Sequence, residues 1–378
     1  GLTYQWYSNV NNSNTGGVSL GTANGAQTNT YSPVTSAQGT LYYYAVISNS
    51  SCAVTSPIFQ VNVGNSLDNI GAGSSIPNAA VAYSFRKLSN CYSGPLGRFL
   101  INSNYYDVYG DATNGSLSLN SPISAATANA STGVLSATSN LLSSIVNSTT
   151  KATVAIWYDQ SGNGKNLTQT NISLQPQIIN DGVIETENGR PFIKWIASRS
   201  LNLAADMTTN GQVFVVNKFG TPTNADGFLL GHSGAYYWHA YPALYGNDKL
   251  FTTNGWTSGS IINGSVWQNG TSIAAASAIY NRTLMVNDVQ PQTANSQTNW
   301  NNIGSDRVNL HNTTIGGGYS EIIVFPNALT PTTRQAVDTN LYNYYITNYP
   351  VITVQPSSTS QILPYRRFKF TCFKGNRS

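Results

Sequence analysis

The most chemically suggestive stretch of the chain is WYDQSGNGKNLTQ, residues 157–169, which directly follows the apolar run TVAI. It holds an acidic residue that could act as an acid or base, together with a lysine and several amides. The same residues also suit a rigid turn, because Ser-Gly and Asn-Gly are turn dipeptides and Asn-Gly tolerates positive φ. We therefore expect Asp159, with Gly162, Asn163 and Gly164, to build a structural turn rather than a catalytic loop.

An aromatic segment, GAYYWHAYPALYG, is the second candidate site. It contains Tyr236, Tyr237, Trp238, His239, Tyr241 and Tyr245, and Trp256, Trp267 and Trp300 follow it. Aromatic faces stack on the apolar C–H faces of sugar rings, while amides and carboxylates bind sugar hydroxyls. The alternative is packing in the core or on a sheet, since Tyr and Trp favour strands. The sequence leaves both alternatives open for this cluster.

The sequence gives little support for a metal site, a phosphate-binding loop or an activated nucleophile. The cysteines and histidines that could bind a metal are Cys52, Cys91, Cys372, His232, His239 and His311. Three sparse cysteines exclude a disulfide scaffold, and the histidines lack zinc-ligand spacing. Calcium is conceivable in such a domain, but no Asp-rich loop supports it, so we expect no cofactor. Ser233 lies in GHSG, which lacks the strand-turn-helix setting of a nucleophile elbow.

Composition indicates an all-β extracellular or cell-surface protein. Only 8% of residues are charged, against roughly 25% in ordinary domains, and 23 are Tyr. The net charge of +4 comes from the last thirteen residues, which hold Arg366, Arg367, Lys369, Lys374 and Arg377. The rest of the chain has 13 cationic and 14 acidic side chains, so no basic face for nucleic acid is expected. No stretch is apolar enough for membrane insertion.

The strands that would position these residues are predicted at 153–159, 212–219, 227–232 and 320–325. In several of them both alternating faces are apolar. Strands of this kind have both faces covered, which indicates a two-sheet sandwich with an additional layer outside.

One helix is expected near the end of this region, with a second, weaker one at 133–146. Thr330 is a suitable N-cap and Pro331 a suitable first residue. The residues Val337, Leu341, Tyr344 and Tyr345 then form an apolar stripe.

Residues 78–348 resemble concanavalin A-like domains of the kind found as the catalytic domain of α-L-arabinofuranosidase B, glycoside hydrolase family 54. The motifs AAVAYSFRKLSNCYSGPLGRF, WYDQSGNGKNLTQ, QPQIIN and ENGRPFIKW occur in the same order, and IGSDRVNLHNTTIGGGYSEIIVFPNAL is similar. The resemblance is strong in the first half and looser in the middle. It implies a jelly-roll sandwich in which the Asp-Gln-Ser-Gly turn is architectural.

The resemblance also implies two catalytic carboxylates, about 5–5.5 Å apart in a retaining enzyme. The family's nucleophile is a Glu after the strand that here reads GFLLGHSGAYYWH, which contains neither Glu nor Asp. The family's acid/base Asp matches Asp306 in IGSDR. Without a nucleophile, the double displacement of that family cannot run. Asp226 suits a turn, and Glu321 suits a structural hydrogen bond or ion pair.

Residues 1–63 resemble the Ig-like repeats of large secreted bacterial surface proteins, through LTYQWYSN, GTLYYYAVISNSSC and a closing valine strand. We expect a partial Ig-like domain there, with a linker at 64–77. Residues 349–378 begin like a further repeat, PVITVQPSSTSQ, and then change composition. We interpret them as a truncated or aberrant end, with a basic binding tail as the alternative.

The predicted architecture is therefore all-β, with a partial Ig-like sandwich, then a concanavalin A-like jelly-roll and one or two short helices. The predicted function is that of a secreted bacterial surface fragment whose jelly-roll binds a glycan or polysaccharide in adhesion. The alternatives are an α-L-arabinofuranosidase with Asp306 as acid/base, and a structural spacer of a surface stalk. Further Ig-like repeats are expected in the parent chain. The predicted ligand-binding residues are Tyr236, Tyr237, Trp238, His239 and Asp306.

Thiol chemistry tests the domain boundaries. In the resembling Ig-like repeats, a cysteine upstream of the YQW strand pairs with one placed like Cys52, and that upstream segment is missing here. We therefore expect Cys52, Cys91 and Cys372 to be free thiols. Titration under denaturing conditions without reductant should find three free thiols. A Cys52–Cys91 bridge would show that the boundary between the two predicted domains is wrong.

Overall fold

The structure is a computed structural model that describes residues 1–33, 39–63, 67–73, 76–90, 92–127, 140–196, 198–220, 227–240, 249–252, 255–307, 311–312 and 316–347. The chain divides into two compact units, Gly1–Thr347 and Asn348–Ser378. The second unit lies outside the described residues, as do Cys91 and Cys372. The first unit consists mainly of antiparallel strands, which confirms the predicted all-β class.

Residues 1–63 form one antiparallel sheet of five strands in their described part. The strands are β1 (Thr3–Asn9), β2 (Val18–Ser19), β3 (Gly39–Ser48), β4 (Ala53–Thr55) and β5 (Phe59–Val63). The long β3 pairs with β1 along one edge and with β4 and β5 along the other. The Ig-like sandwich predicted here is thus represented by a single layer among these residues. Cys52 is exposed and free, as predicted.

The large region that follows is built from short and medium strands. Its first strands are β6 (Val81–Ser84), β7 (Gly97–Ile101), β8 (Asn104–Val108), β9 (Pro122–Ala126), β10 (Asn140–Leu141), β11 (Ala152–Trp157), β12 (Leu167–Thr168), β13 (Gln177–Asn180), β14 (Val183–Ile184), β15 (Thr186–Glu187), β16 (Arg190–Pro191) and β17 (Ile193–Lys194). Its remaining strands are β18 (Leu201–Met207), β19 (Gln212–Lys218), β20 (Gly227–Phe228), β21 (His239–Ala240), β22 (Ser265–Gln268), β23 (Thr271–Ile273), β24 (Met285–Gln290), β25 (Trp300–Ile303), β26 (Ser305–Asp306), β27 (His311–Asn312) and β28 (Gly318–Phe325). The helices are α1 (Gly259–Ile262) and α2 (Pro331–Tyr345).

These strands form two hydrogen-bonded layers. One layer has the order β6-β28-β19-β24-β22-β23. The other runs β10-β9-β8-β7-β11, and β11 continues to β12 and β13. Strand β17 joins the layers, because it pairs with both β13 and β28. All of these pairings are antiparallel.

The central strands β19 and β28 are buried on both faces. Val213 and Val215 face the core between the two layers, together with Trp157 of β11. Phe214 and Val216 face a second core, which helix α2 covers. This arrangement explains why both alternating faces of these strands are apolar, and it confirms the sandwich with an additional outer layer.

Helix α2 begins where the sequence predicts. The Thr330 side chain accepts a hydrogen bond from the backbone N–H of Thr333 at 3.3 Å, which satisfies one of the free donors of the first turn. Its stripe packs on the second core through Val337, Leu341 and Tyr345. The segment predicted as a linker adds Leu67, Ile70 and Ile76 to the same core. These contacts attach the end of that segment to the sandwich.

Two sequence predictions about secondary structure need correction. The weak helix at 133–146 is wrong in its described part, because Asn140 and Leu141 pair with β9 and a 3-10 turn follows at Leu142–Ser144. Pairing with a neighbouring strand outweighs the local helix propensity here. The strand predicted at 227–232 is only two residues long, Gly227–Phe228. The chain then leaves this pairing, and Gly231 N donates to Asn302 O at 2.9 Å.

A buried ion pair connects strand β28, the segment after β6 and helix α2. Glu321 accepts two hydrogen bonds from Arg86, at 2.9 and 3.0 Å. Its carboxylate also accepts from the hydroxyls of Ser84 at 2.7 Å and Tyr345 at 2.8 Å. These contacts are the structural ones that the sequence led us to expect of Glu321.

Removing one charge of this pair is expected to be costly. The side chains of Arg86 and Glu321 are 9% and 1% exposed, so Glu321→Gln leaves a buried guanidinium without a carboxylate. We expect the free energy of unfolding to fall by about 3–5 kcal/mol in urea titrations. Asp181→Asn is the matched control, because the Lys151–Asp181 pair is 64% and 59% exposed, and it should change by less than ~1 kcal/mol. Equal effects of the two substitutions would contradict this assignment.

Candidate functional site

Asp159 lies at the end of β11, and its carboxylate organises the turn that follows. Oδ1 accepts from the backbone N–H groups of Ala82 and Ser161, both at 2.9 Å. Oδ2 accepts from Ser161 Oγ at 2.8 Å and from Lys165 N at 3.1 Å. Four donors within the protein therefore occupy the carboxylate. These are the contacts of a structural residue.

The same turn is hydrogen-bonded to the two residues that precede strand β6. Asn163 Nδ2 donates to the carbonyls of Ala79 and Ala80 at 2.9 and 3.2 Å. Gly162 and Gly164 have φ values of +86° and +68°, a region that favours glycine. Burial raises the pKa of Asp159, and the hydrogen bonds from the backbone of Ser161 and Ala82 oppose that rise. The turn is therefore a fixed platform at the end of the strand.

Asp306 is buried in the short strand β26, and its carboxylate contacts His239 of β21. Its Oδ2 lies 3.0 Å from His239 Nε2, and both side chains are at most 3% exposed. Its Oδ1 accepts from the backbone N–H of His232 at 3.2 Å. Arg307 Nε lies 3.8 Å from Oδ2. Both carboxylate oxygens thus face protein groups.

The aromatic cluster divides into buried and partly exposed members. Trp238 is 1% exposed, and its indole N–H donates to Thr298 O at 3.0 Å. Trp238 and His239 therefore offer no face for stacking, which corrects the expectation that they contact a ligand directly. Tyr241 and Tyr245 lie outside the described residues, as does Asp226.

Tyr236 and Tyr237 are the partly exposed members. The guanidinium of Arg307 lies over the Tyr236 ring, 3.6 Å from its centroid, and Trp256 packs edge-on at 4.5 Å. Tyr237 packs beside the imidazole of His232, with 5.2 Å between ring centroids. Each of the two partly exposed rings therefore lies beside a partly exposed cationic or imidazole side chain, Arg307 for Tyr236 and His232 for Tyr237.

Two other tryptophans of the sequence prediction have internal partners. Trp300 is fully buried, and its Nε1 donates to Asn210 Oδ1 at 2.9 Å. The guanidinium of Arg334 lies 3.9 Å from the centroid of Trp267. Both residues contribute to packing, the structural alternative that the sequence left open.

Asp206 is a second carboxylate near Asp306 that sequence reasoning missed. Its Oδ2 lies 3.1 Å from His232 Nε2, and its Oδ1 accepts from Asn301 Nδ2 at 2.8 Å. Partial burial raises the pKa of Asp206, but the hydrogen bonds from His232 and Asn301 outweigh it and hold the pKa below its ordinary value. His232 thus contacts both carboxylates, one through its backbone and one through its ring. The feature of the sequence that could have identified Asp206 is an aspartate inside the otherwise largely apolar strand LNLAADM.

A cavity of about 320 Å³ lies beside Asp206. Its walls are Gly164, Lys165, Asn166, Thr168 and Leu203–Asp206. The end of the Asp159 turn therefore forms one side and strand β18 the other. Asp206 is 38% exposed, so its carboxylate is accessible while two donors fix its orientation. The cavity combines an aliphatic wall with an oriented anionic acceptor and an ammonium group.

Within the part of the chain that the structure describes, no three His, Cys, Asp or Glu side chains are grouped so that they could hold a metal. Across the same residues, no helix has the length and apolar character needed to cross a membrane.

Comparison with known proteins gives matches among solved structures alone. No protein-family model matches the chain, and no curated protein matches it. The solved structures include a mutant of a glycoside hydrolase family 54 α-L-arabinofuranosidase soaked with 4-nitrophenyl α-L-arabinofuranoside, with a TM-score of 0.42 and 13% identity. They also include an arabinofuranosidase complexed with arabinofuranosyl-α-1,2-xylobiose, with a TM-score of 0.40 and 13% identity.

A third solved structure is a family 54 α-L-arabinofuranosidase soaked with a cyclic sulfate inhibitor, with a TM-score of 0.35 and 16% identity. Each match covers 74% of this chain and 65% of the other chain. The chain thus spans less than two thirds of the length of these enzymes. The first and third of these enzymes are named as members of the family that the motifs of residues 78–348 resemble.

The structural role of Asp159 can be tested by graded substitutions. Asp159→Asn places an amide NH2 against two of the four donors, and we expect the free energy of unfolding to fall by about 2 kcal/mol. Ser161→Ala removes one hydroxyl donor and should cost about half as much. Urea unfolding measures both. Unchanged stability of Asp159→Asn, combined with lost ligand binding or turnover, would instead assign Asp159 to the chemistry.

Proposed function

We propose that this chain binds carbohydrate in the cavity beside Asp206, as part of an extracellular glycan-binding protein. The observation that supports this most directly is the partly exposed Asp206 carboxylate, which His232 and Asn301 hold at the edge of a cavity of about 320 Å³. A fixed anionic acceptor beside an aliphatic wall suits a sugar ring, which carries hydroxyl donors at its edge and C–H groups on its faces.

The other cavity residues complement a sugar in the same way. Leu203, Ala204 and Ala205 supply an apolar surface. The Asn166 side-chain oxygen accepts from Asp159 N at 2.9 Å, which leaves its NH2 group as the donor for a ligand. Lys165 adds a cationic donor on the same side. Donors and acceptors therefore converge on a cavity large enough for a monosaccharide unit.

Binding without hydrolysis is favoured by the state of Asp306. A general acid or base must reach the reacting oxygen directly or through one water. The Asp306 side chain is 3% exposed, and His239 and His232 contact its two oxygens. The stretch GFLLGHSGAYYWH also lacks a carboxylate that could act as nucleophile.

Hydrolysis of an arabinofuranoside is the second candidate function, because two carboxylates contact one residue, His232. A glycosidase needs such a pair, one to protonate the leaving group and one to act as nucleophile or base. In this alternative Asp306 keeps the acid/base role implied by the resemblance, and Asp206 replaces the missing Glu.

Glycan affinity tests the binding proposal. A glycan array identifies a ligand, and calorimetry then compares wild type with Asp206→Asn and Asp306→Asn. We expect Asp206→Asn to weaken affinity about tenfold or more, because hydrogen bonds to charged groups contribute about 1.5–3 kcal/mol. Asp306→Asn should have a smaller effect, since that side chain is buried. Asp181→Asn, which makes the same chemical change at an exposed site, is the control.

Turnover separates the two candidate functions. We expect no hydrolysis of an aryl arabinofuranoside by wild type. Hydrolysis that is lost in both Asp206→Asn and Asp306→Asn would establish the enzyme instead of the binding protein. Unchanged glycan affinity in Asp206→Asn would exclude the cavity beside Asp206 as the binding site.

A further inference from the structure

We infer that the sandwich has a second ligand site, a polar cavity of about 530 Å³ that takes a neutral saccharide unit through hydrogen bonds rather than ring stacking. Its walls come from the loop 110–115, from Tyr344 near the end of helix α2, and from Asn69, Arg86, Lys87, Ser89 and Asn90. It shares no residue with the cavity beside Asp206. The two sites can therefore be tested independently.

Backbone hydrogen bonds preform the loop of this second cavity. Lys87 N donates to Gly115 O at 2.9 Å, and Asp111 N donates to Ser116 O at 2.9 Å. Gly115 N closes the loop on Asp111 O at 2.7 Å. The loop thus pairs with the segment that follows β6. A ligand would meet an ordered wall, which lowers the entropy lost on binding.

Glycine at position 115 makes room for the stem of Lys87. Gly115 has a φ of +71°, and a Cβ there would lie 3.2 Å from Cβ of Lys87. The aliphatic part of the Lys87 side chain therefore lies against the loop, and Lys87 is also one of the residues that line the cavity. Packing of the stem restricts where the ammonium group can go.

The charges that line the cavity nearly balance. Glu321 pairs with Arg86, at 2.9 and 3.0 Å. Asp111 accepts from Ser118 Oγ and from Thr113 N, and these hydrogen bonds hold its pKa below the ordinary value, so it is an anion at neutral pH. Lys87 has no ion pair among the residues that the structure describes. One cation and one anion thus face the cavity, and a neutral ligand fits this balance better than an ion.

Stacking on an aromatic ring is not available in this cavity. Tyr344 is the aromatic residue of its lining, and two guanidinium groups lie over its ring. Arg86 is 4.3 Å and Arg190 is 3.9 Å from the centroid. Two cation–π contacts therefore already occupy this ring. The ligand must therefore be recognised at its polar edge.

The remaining lining groups provide that recognition. They are amides and hydroxyls that both donate and accept, namely Asn69, Ser89, Asn90, Thr113 and Asn114. A sugar hydroxyl also donates and accepts at once. Lys87 adds charge-assisted hydrogen bonds, which are the stronger kind. A polyhydroxylated neutral molecule satisfies this set more completely than an apolar one.

Amide chemical shifts of the full chain provide the test, with D-xylose, L-arabinose and D-galactose as neutral probes and D-glucuronate as the anionic one. We expect saturable shifts at Gly110–Gly115 and at Ser89 and Asn90 with at least one neutral sugar. Lys87→Met keeps the packed stem but removes the ammonium group, and it should weaken this binding about tenfold. Asn90→Ala, at an exposed position, should also weaken it. Lys151→Met, at an exposed lysine elsewhere, should leave it unchanged.

The outcomes are distinguishable. Absent shifts with all three neutral sugars would overturn the proposal, and so would wild-type affinity in both Lys87→Met and Asn90→Ala. Tighter binding of D-glucuronate than of the neutral sugars would also overturn it, in favour of an anion site. Shifts confined to Lys165 and Ala204 would support the cavity beside Asp206 but not this one. Asp206→Asn should leave the shifts at Gly110–Gly115 unchanged.

Discussion

The architecture of the sandwich depends on two central strands, β19 and β28, that are apolar on both faces. Val213 and Val215 of β19 face the core between the layers, whereas Phe214 and Val216 face helix α2. A strand of this kind is stable only when both faces are removed from water. The second layer of strands is therefore needed on one side, and the helix and residues 67–76 are needed on the other.

The scarcity of charge determines how the acidic residues are used. The chain has 14 Asp and Glu, and seven of those that the structure describes are buried: Asp107, Asp111, Asp159, Asp288, Asp306, Glu321 and Asp338. Buried carboxylates are tolerated where donors or cations surround them. Arg98 is fully buried against Asp107, and Arg86 is buried against Glu321. These buried acids thus stabilise the fold, and the partly exposed Asp206 differs from them in that its carboxylate can meet a ligand.

The two proposed carbohydrate cavities represent different ways of binding a sugar. The cavity beside Asp206 has an aliphatic wall and one fixed acceptor, which suits a ring with one polar edge. The cavity beside Lys87 is lined by amides, hydroxyls and balanced charges, and its aromatic ring is already covered. The first depends on the contact of His232 with Asp206, and the second on the packing of Lys87 against Gly115. Neither depends on the buried Asp306–His239 pair.

The sequence by itself determined the features that follow from local periodicity and turn chemistry. The doubly apolar strands, the helix that begins at Thr330 and the turn around Asp159 could all be predicted, because each is encoded within a few neighbouring residues. The order of motifs also pointed to the family that two of the matching structures are named for. Only the tertiary structure decided which distant residues meet. Arg86 and Glu321 are 235 residues apart, and Asp206 and His232 are 26 apart. Trp238 is buried and donates to Thr298, 60 residues away, and no local pattern distinguishes it from its half-buried neighbour Tyr237. Such contacts depend on sheet register and layer packing, which the local sequence pattern does not specify.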